Sequence, residues 1–281
     1  MENEVANRLA TLGHPQRLSI LRLLMRRYPD RMPAGEIAET LGLKASTLSA
    51  YLSALMQAGL VTQERTGTSL RYAPDMGAVR GTFDYLFKDC CRGRPDLCPP
   101  AFSQPRPGGD AMTRKPYRVL FICTGNSARS IFAETLLRDM GGDRFEVHSA
   151  GTKPHSELHP FAVQVLQDKG DDVSGLRAKN VAEFQGAGAE PFDFVFTVCN
   201  RAANEECPPW PGQPVTGHWG MPDPVKAEGT EAERALAFQD VYGALRNRIQ
   251  AFLALPLETL DALSLQRAVD EIAEMNQKDP A

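Results

Sequence analysis

The sequence predicts an α/β domain with a parallel sheet, preceded by a smaller domain of winged helix-turn-helix type. Three observations carry that reading. From residue 116 onward, apolar runs that read as buried strands alternate with helical patterns, the arrangement of a parallel sheet. The first of those runs ends in a cysteine, a tight loop and a helix. Before residue 76, two short helices separated by a glycine turn are followed by a hairpin.

Length and composition bound the answer. The 281 residues suit two domains, and 42% hydrophobic content supports globular cores. No run approaches the roughly 18 apolar residues of a membrane span. Met1-Glu2-Asn3-Glu4 is polar and acidic, unlike a secretory signal, so a cytoplasmic location is expected. Six cysteines in such a compartment point to metal binding or redox chemistry rather than structural disulfides. The net charge of −4 is uneven: 14 basic against 11 acidic residues in 1–110 leave +3, and 17 against 24 in the remainder leave −7. A mildly basic first part in an acidic protein is compatible with a nucleic-acid contact there.

In the first domain, Leu9, Leu12, Leu18, Ile20, Leu21, Leu23 and Leu24 recur at helical spacing, and Pro15 reads as the first residue of a helix running to about Tyr28. Residues 33–41 form a second helix, stopped by Gly42. A third follows over 43–55 and closes at Gly59. Its non-core side carries Lys44, Ser46, Thr47, Ser49 and Tyr51, all donors to phosphates or base edges. Residues 60–65 and 69–72 flank Thr66-Gly67-Thr68 as a hairpin, a wing with Arg65 and Arg71 near its strands. The plain alternative is a helical bundle with a solvated polar face. The stretch Leu12-Gly13-His14-Pro15-Gln16-Arg17-Leu18-Ser19-Ile20-Leu21 and the junction around Leu55, Gln57, Ala58, Gly59, Leu60 and Val61 resemble the ArsR/SmtB family of metalloid-responsive winged-helix repressors, across residues 5–75. That resemblance implies a dimer on operator DNA.

Val79, Phe83, Leu86 and Phe87 suggest a helix able to pack on a partner subunit. It runs into Cys90, Cys91 and Cys98. Three thiols without a nearby histidine argue against a four-ligand zinc site and suit a thiophilic trigonal ion such as As(III) or Sb(III). The alternatives are thiols without a role, or zinc completed by the other subunit. The family's best-known inducer cysteines, at the start of the recognition helix, are absent, since no cysteine precedes Cys90. The Cys-Cys…Cys group after the wing looks like that of some arsenite-responsive members. The DNA-binding domain with its thiols is thus set at 1–98. A Pro- and Gly-rich linker occupies 99–115.

The second domain, 116–281, reads as strands at 117–122, 145–151 and 192–199 and helices at 130–140, 160–169 and 230–253. A tail follows: a proline break, then an amphipathic helix to about Met275, expected to serve packing or dimer contact. Ligands of parallel sheets bind at the carboxyl ends of the strands. Cys123 and Cys199 both stand at that end, which predicts neighbouring thiols.

In Cys123-Thr124-Gly125-Asn126-Ser127-Ala128-Arg129-Ser130 the loop N–H groups and the helix N-terminus face one point, an oxyanion cradle. Arg129 adds a bidentate clamp, and Ser130 a hydroxyl. Together they predict a Cys123 thiolate near neutral pH. Asp223, held extended before Pro224, is the candidate acid for a departing oxygen; the alternative is an ordinary Asp-Pro turn.

Cys-x5-Arg-Ser after a strand, with a late Asp-Pro loop, resembles the low-molecular-weight tyrosine phosphatase fold. Thr197-Val198-Cys199-Asn200-Arg201-Ala202-Ala203-Asn204-Glu205-Glu206-Cys207-Pro208, followed by His218-Trp219-Gly220, resembles the thioredoxin-coupled arsenate reductases built on that fold, over about residues 116–254. Phosphatases of this fold usually place an aromatic residue after the Asp-Pro, where this chain has Val225. The resemblance implies a relay without a cofactor: Cys123 attacks arsenate, Cys199 then expels arsenite, Cys207 takes over the disulfide, and thioredoxin reduces it. It also implies that 199–207 rearranges. Two other readings stay open, a tyrosine phosphatase fused to a DNA-binding regulator and an oxyanion sensor without turnover.

Overall fold

A computed structural model describes residues 2–90, 115–186, 188–205 and 210–275, which fall into two compact units, 2–90 and 115–275. Among the described residues no helix is long and apolar enough to cross a membrane.

The first unit runs α1 (Glu2–Leu12), α2 (Pro15–Arg27), β1 (Met32–Pro33), α3 (Ala34–Leu41), α4 (Ala45–Gln57), β2 (Val61–Thr66), β3 (Ser69–Pro74) and α5 (Met76–Tyr85), extended by a π-helical turn, Leu86–Cys90. His14 caps α2 by accepting from Gln16 N at 3.2 Å, with Pro15 where its missing N–H costs nothing. Gly42 ends α3 in the left-handed region at φ 63°. Ile20, Leu23, Leu24, Ile37, Leu48, Leu52, Leu55 and Leu60 form one core beneath the helices. β2 and β3 are the wing, and β1 adds an antiparallel edge, giving the order β1-β3-β2. That short edge was not foreseen, because two residues carry no periodicity.

The second unit places β4 (Tyr117–Cys123), β5 (Phe145–Gly151), β6 (Phe194–Thr197) and β7 (Val215–His218) in one all-parallel sheet of order β5-β4-β6-β7. Its helices are α6 (Arg129–Gly141), α7 (Pro160–Lys169), α8 (Asn200–Asn204), α9 (Glu231–Leu253) and α10 (Ala262–Glu274). The apolar run expected as a strand over 192–199 keeps the ladder only from Phe194 to Thr197. Val198 N still bonds Ile122 O at 2.8 Å, and then Cys199 turns out of the ladder to cap α8. Phe121, Phe194, Phe196, Trp219 and Phe252 fill the core, with Phe196 and Trp219 stacked at 4.1 Å.

α10 covers the edge strand β7. Gln266 donates to Thr216 O at 2.6 Å and accepts from Thr216 N at 3.2 Å, standing in for a neighbouring strand. Leu265, Val269 and Ile272 bury its apolar face.

Candidate active site

Order β5-β4-β6-β7 means that the chain leaves β4 toward β5 and leaves β6 toward β7. A crevice therefore opens at the carboxyl ends of β4 and β6, the switch point where α/β sheets bind ligands. Cys123 ends β4 and Cys199 follows β6.

The loop from Cys123 to α6 is held from outside. Its carbonyls at Cys123, Thr124, Gly125 and Ser127 accept from the N–H groups of Thr152, Lys153, His155 and His159. With the carbonyls bonded outward, peptide N–H groups turn toward the sulfur, and Asn126 N donates to Cys123 Sγ at 3.1 Å. Gly151 supports the same turn: a Cβ there would meet Thr124 O at 2.7 Å. Ala128 and Arg129 lead into α6, whose N-terminus faces the cradle.

Asn126 sits at φ 46°, and its fully buried side chain explains why that conformation persists. Its amide donates to Ser130 Oγ and Ser149 Oγ, each at 2.8 Å, and accepts from Lys179 N at 2.6 Å. Ser149 Oγ donates to Glu134, which pairs with the Lys179 ammonium at 2.9 Å. The motif reading missed Ser149, Glu134 and Lys179. One signal was available: Ser130 and Glu134 stand four apart on one face of a helix whose residues 131–137 are otherwise apolar but for Thr135.

Cys123 is 2% exposed, and its sulfur lies 2.9 Å from Ser130 Oγ. Burial pushes the thiol up from its ordinary value, and neighbouring Cys199 adds to this. The Ser130 hydrogen bond and Arg129 act the other way and do not overcome it. The groups expected to favour a thiolate are thus present, and burial of the sulfur opposes them. Motif spacing conveys the donors but not the desolvation. His159, whose N–H bonds the loop at Ser127 O, is lowered by burial, then by His155 and Arg234, against Asp223.

Arg129 forms an ion pair with Asp223 at 2.9 Å and also donates to Met221 O at 3.3 Å. Asp223 accepts from Val225 N at 3.3 Å. Arg129 and Asp223, the expected clamp and acid, are thus held together. Cys199, 1% exposed, accepts from Ala202 N at 3.4 Å and lies 3.4 Å from Thr124 Oγ1. Cys207 lies outside the described residues.

In the first unit, Lys44, Ser46, Ser49, Arg65 and Arg71 are exposed. Thr47 is half-buried, and so is Tyr51, whose ring lies 4.8 Å from that of His14 rather than standing free on the outer side. Cys90 is exposed at the end of the π-helical turn; Cys91 and Cys98 lie outside the described residues.

A buried thiol at the head of this loop, with an arginine–carboxylate pair beside it, is the arrangement expected of the cysteine-dependent phosphatase class. The chain belongs to the low molecular weight phosphotyrosine protein phosphatase family, matched over residues 118–266, and carries a helix-turn-helix domain, matched over residues 12–64. The family match runs into α10, past residue 254 where the motif resemblance stops. Relatives include the arsenate reductase of Shouchella clausii, 40% identical over 134 residues, 48% of this chain and 93% of that protein. The arsenate reductase of Bacillus subtilis is 37% identical over the same shares. The glutaredoxin arsenate reductase of Synechocystis is 29% identical over 137 residues, 49% of this chain and 96% of that protein. The chain is a fusion of a helix-turn-helix domain with a domain of this family similar to arsenate reductases.

Proposed function

We propose that the second domain reduces arsenate to arsenite through Cys123, Cys199 and Cys207, and that the first is an operator-binding repressor released by arsenite. The observation that carries the enzymatic reading is the second buried thiol: Cys199 reaches Thr124 Oγ1 in the Cys123 loop at 3.4 Å. Hydrolysis of a phosphate ester needs one nucleophilic cysteine; reduction needs two electrons, hence a second sulfur.

In the first step, the cradle and Arg129 hold hydrogen arsenate, and Cys123 Sγ forms a bond to arsenic. The thiol proton and one arsenate oxygen with its own proton leave as water, so a neutral thiol is a competent start. Asp223, released from Arg129 by the anion, relays that proton. Cys199 then attacks Cys123 Sγ; the S–S bond forms, the S–As electron pair passes to arsenic, and As(V) leaves as As(III). Cys207 attacks Cys199, freeing Cys123 and leaving the Cys199–Cys207 disulfide. A dithiol protein of the thioredoxin class reduces it, and no cofactor takes part; a relative named for glutaredoxin makes that class the alternative reductant.

For the first domain, α4 with Lys44, Ser46, Thr47, Ser49 and Tyr51 and the wing with Arg65 and Arg71 would contact DNA in a homodimer. Cys90, Cys91 and Cys98 would take As(III) or Sb(III). The protein would act in the cytoplasm. The phosphatase reading keeps one supporting observation, the family itself, since the Arg129–Asp223 pair serves phosphoryl transfer equally well.

The test is thioredoxin-coupled NADPH consumption with arsenate, run beside p-nitrophenyl phosphate hydrolysis. Arsenate-dependent consumption well above phosphate release is expected. Phosphate release without arsenate turnover would establish the phosphatase instead.

A further inference from the structure

We propose that His218 is a positioning residue for the second thiol, stapling the strand-to-helix break at which Cys199 sits. The inference rests on the reductase reading. It names the group that sets Cys199 for its attack.

His218 closes β7 and is 2% exposed. Its Nδ1 lies 2.8 Å from the hydroxyl of Thr197, the last residue of β6, and its Nε2 lies 3.2 Å from Asn200 Oδ1, the first residue of α8. Those two partners bracket Val198 and Cys199. One imidazole therefore spans the point where the chain stops being strand and starts being helix.

The tautomer follows from the partners. Asn200 Oδ1 only accepts, so Nε2 carries the proton and donates. Nδ1 meets the Thr197 hydroxyl, which can turn to donate or accept.

α8 needs such a staple. It has five residues, far below the length at which a helix holds itself together in water. Its fixed points include the buried Ala202 and Ala203, the Cys199 sulfur accepting from Ala202 N, and Asn200 held by His218.

The relay makes a specific demand on this segment. Forming the Cys123–arsenic bond does not involve α8. The next step does: Cys199 Sγ must stand in line with the Cys123 S–As bond. There the S–S bond forms, the S–As pair reduces As(V) to As(III), and the Cys199 proton goes to an arsenite oxygen. Misplacement by about 1 Å can slow such a step by on the order of 100-fold. His218 acts through Cys199 on this step and not on anion binding.

The experiment is single-turnover arsenite release by the full chain without added reductant, together with steady-state kcat and KM for arsenate. His218→Ala and Asn200→Ala should each slow arsenite release at least about tenfold, with KM within about twofold of wild type. His218→Gln, able to offer an amide N–H to Asn200, should recover most of the rate. The double variant should be no slower than either single one. Asn200 is exposed, so its variant keeps the fold if His218→Ala does not. Asn200→Ala releasing arsenite at the wild-type rate overturns the proposal, as does a KM that rises with no change in that rate. A wild-type chain that binds arsenate and releases no arsenite overturns the reductase reading itself.

Discussion

Lys179→Met removes one charge of a pair that lies beneath the Cys123 loop. Lys179 Nζ and Glu134 are 2.9 Å apart, and each side chain is 9% exposed. Removing one member of such a pair leaves a carboxylate in a low-dielectric site and costs about 3–5 kcal/mol. Ser149 still donates to Glu134, which places the expected loss near the lower end, about 3 kcal/mol. In a unit of this size that is a fall of roughly 6–12 °C in Tm. Both tryptophans, Trp210 and Trp219, lie in the second unit, so their fluorescence follows its unfolding alone. Adding Glu134→Gln removes the stranded charge and keeps an acceptor for Ser149. The double variant should recover about 2 kcal/mol of the loss. A single-variant loss below about 1 kcal/mol, or a double variant that loses the sum of both, would show that Lys179→Met strands no buried charge.

Three further outcomes follow from other parts of the molecule. Burial pushes the Asp270 carboxyl up to about 6, with Glu274 and Glu271 adding to it against the Gln266 hydrogen bond. A folded-state value above the unfolded one means that stability falls as pH rises from about 4 to 6; Asp270→Asn should thus gain on the order of 1 kcal/mol at pH 7, after allowance for screening, and nothing below pH 4, by urea titration. Gly151→Ala sets a Cβ 2.7 Å from Thr124 O and 3.1 Å from Asn126 N, so it should cost about 1–3 kcal/mol and lower kcat/KM for arsenate; unchanged kinetics would show that the loop does not need this support. Cys90→Ser should abolish arsenite-induced release of operator DNA in a mobility-shift titration, and a variant that still lets go places the inducer site elsewhere.

Legibility in the sequence tracked length and locality. The β4–loop–α6 unit was readable because an unbroken apolar run, a Gly-Asn turn and a helix lie within 25 residues. The helix-turn-helix was readable for the same reason, with Gly42 and Gly59 marking its stops. β7 and α8, four and five residues long, are too short for periodicity to show, and they position Cys199. The Asn126–Ser149–Glu134–Lys179 network joins residues 15 to 53 positions apart, and its buried charges look in sequence like ordinary surface ones. At Cys123 the opposite bias operates: spacing reveals the groups that favour a thiolate, while the burial that pushes the thiol up becomes visible only in three dimensions.

In the proposed relay three sulfurs, not one, carry the reaction. Cys207→Ser tests it most directly, with arsenite counted per chain in the presence of a thioredoxin system and peptide mapping of the product. The expected result is close to one arsenite per chain, then arrest with a Cys123–Cys199 disulfide, where the wild type turns over repeatedly. Undiminished turnover by the variant, or arrest with Cys123 and Cys199 both still as thiols, contradicts the relay.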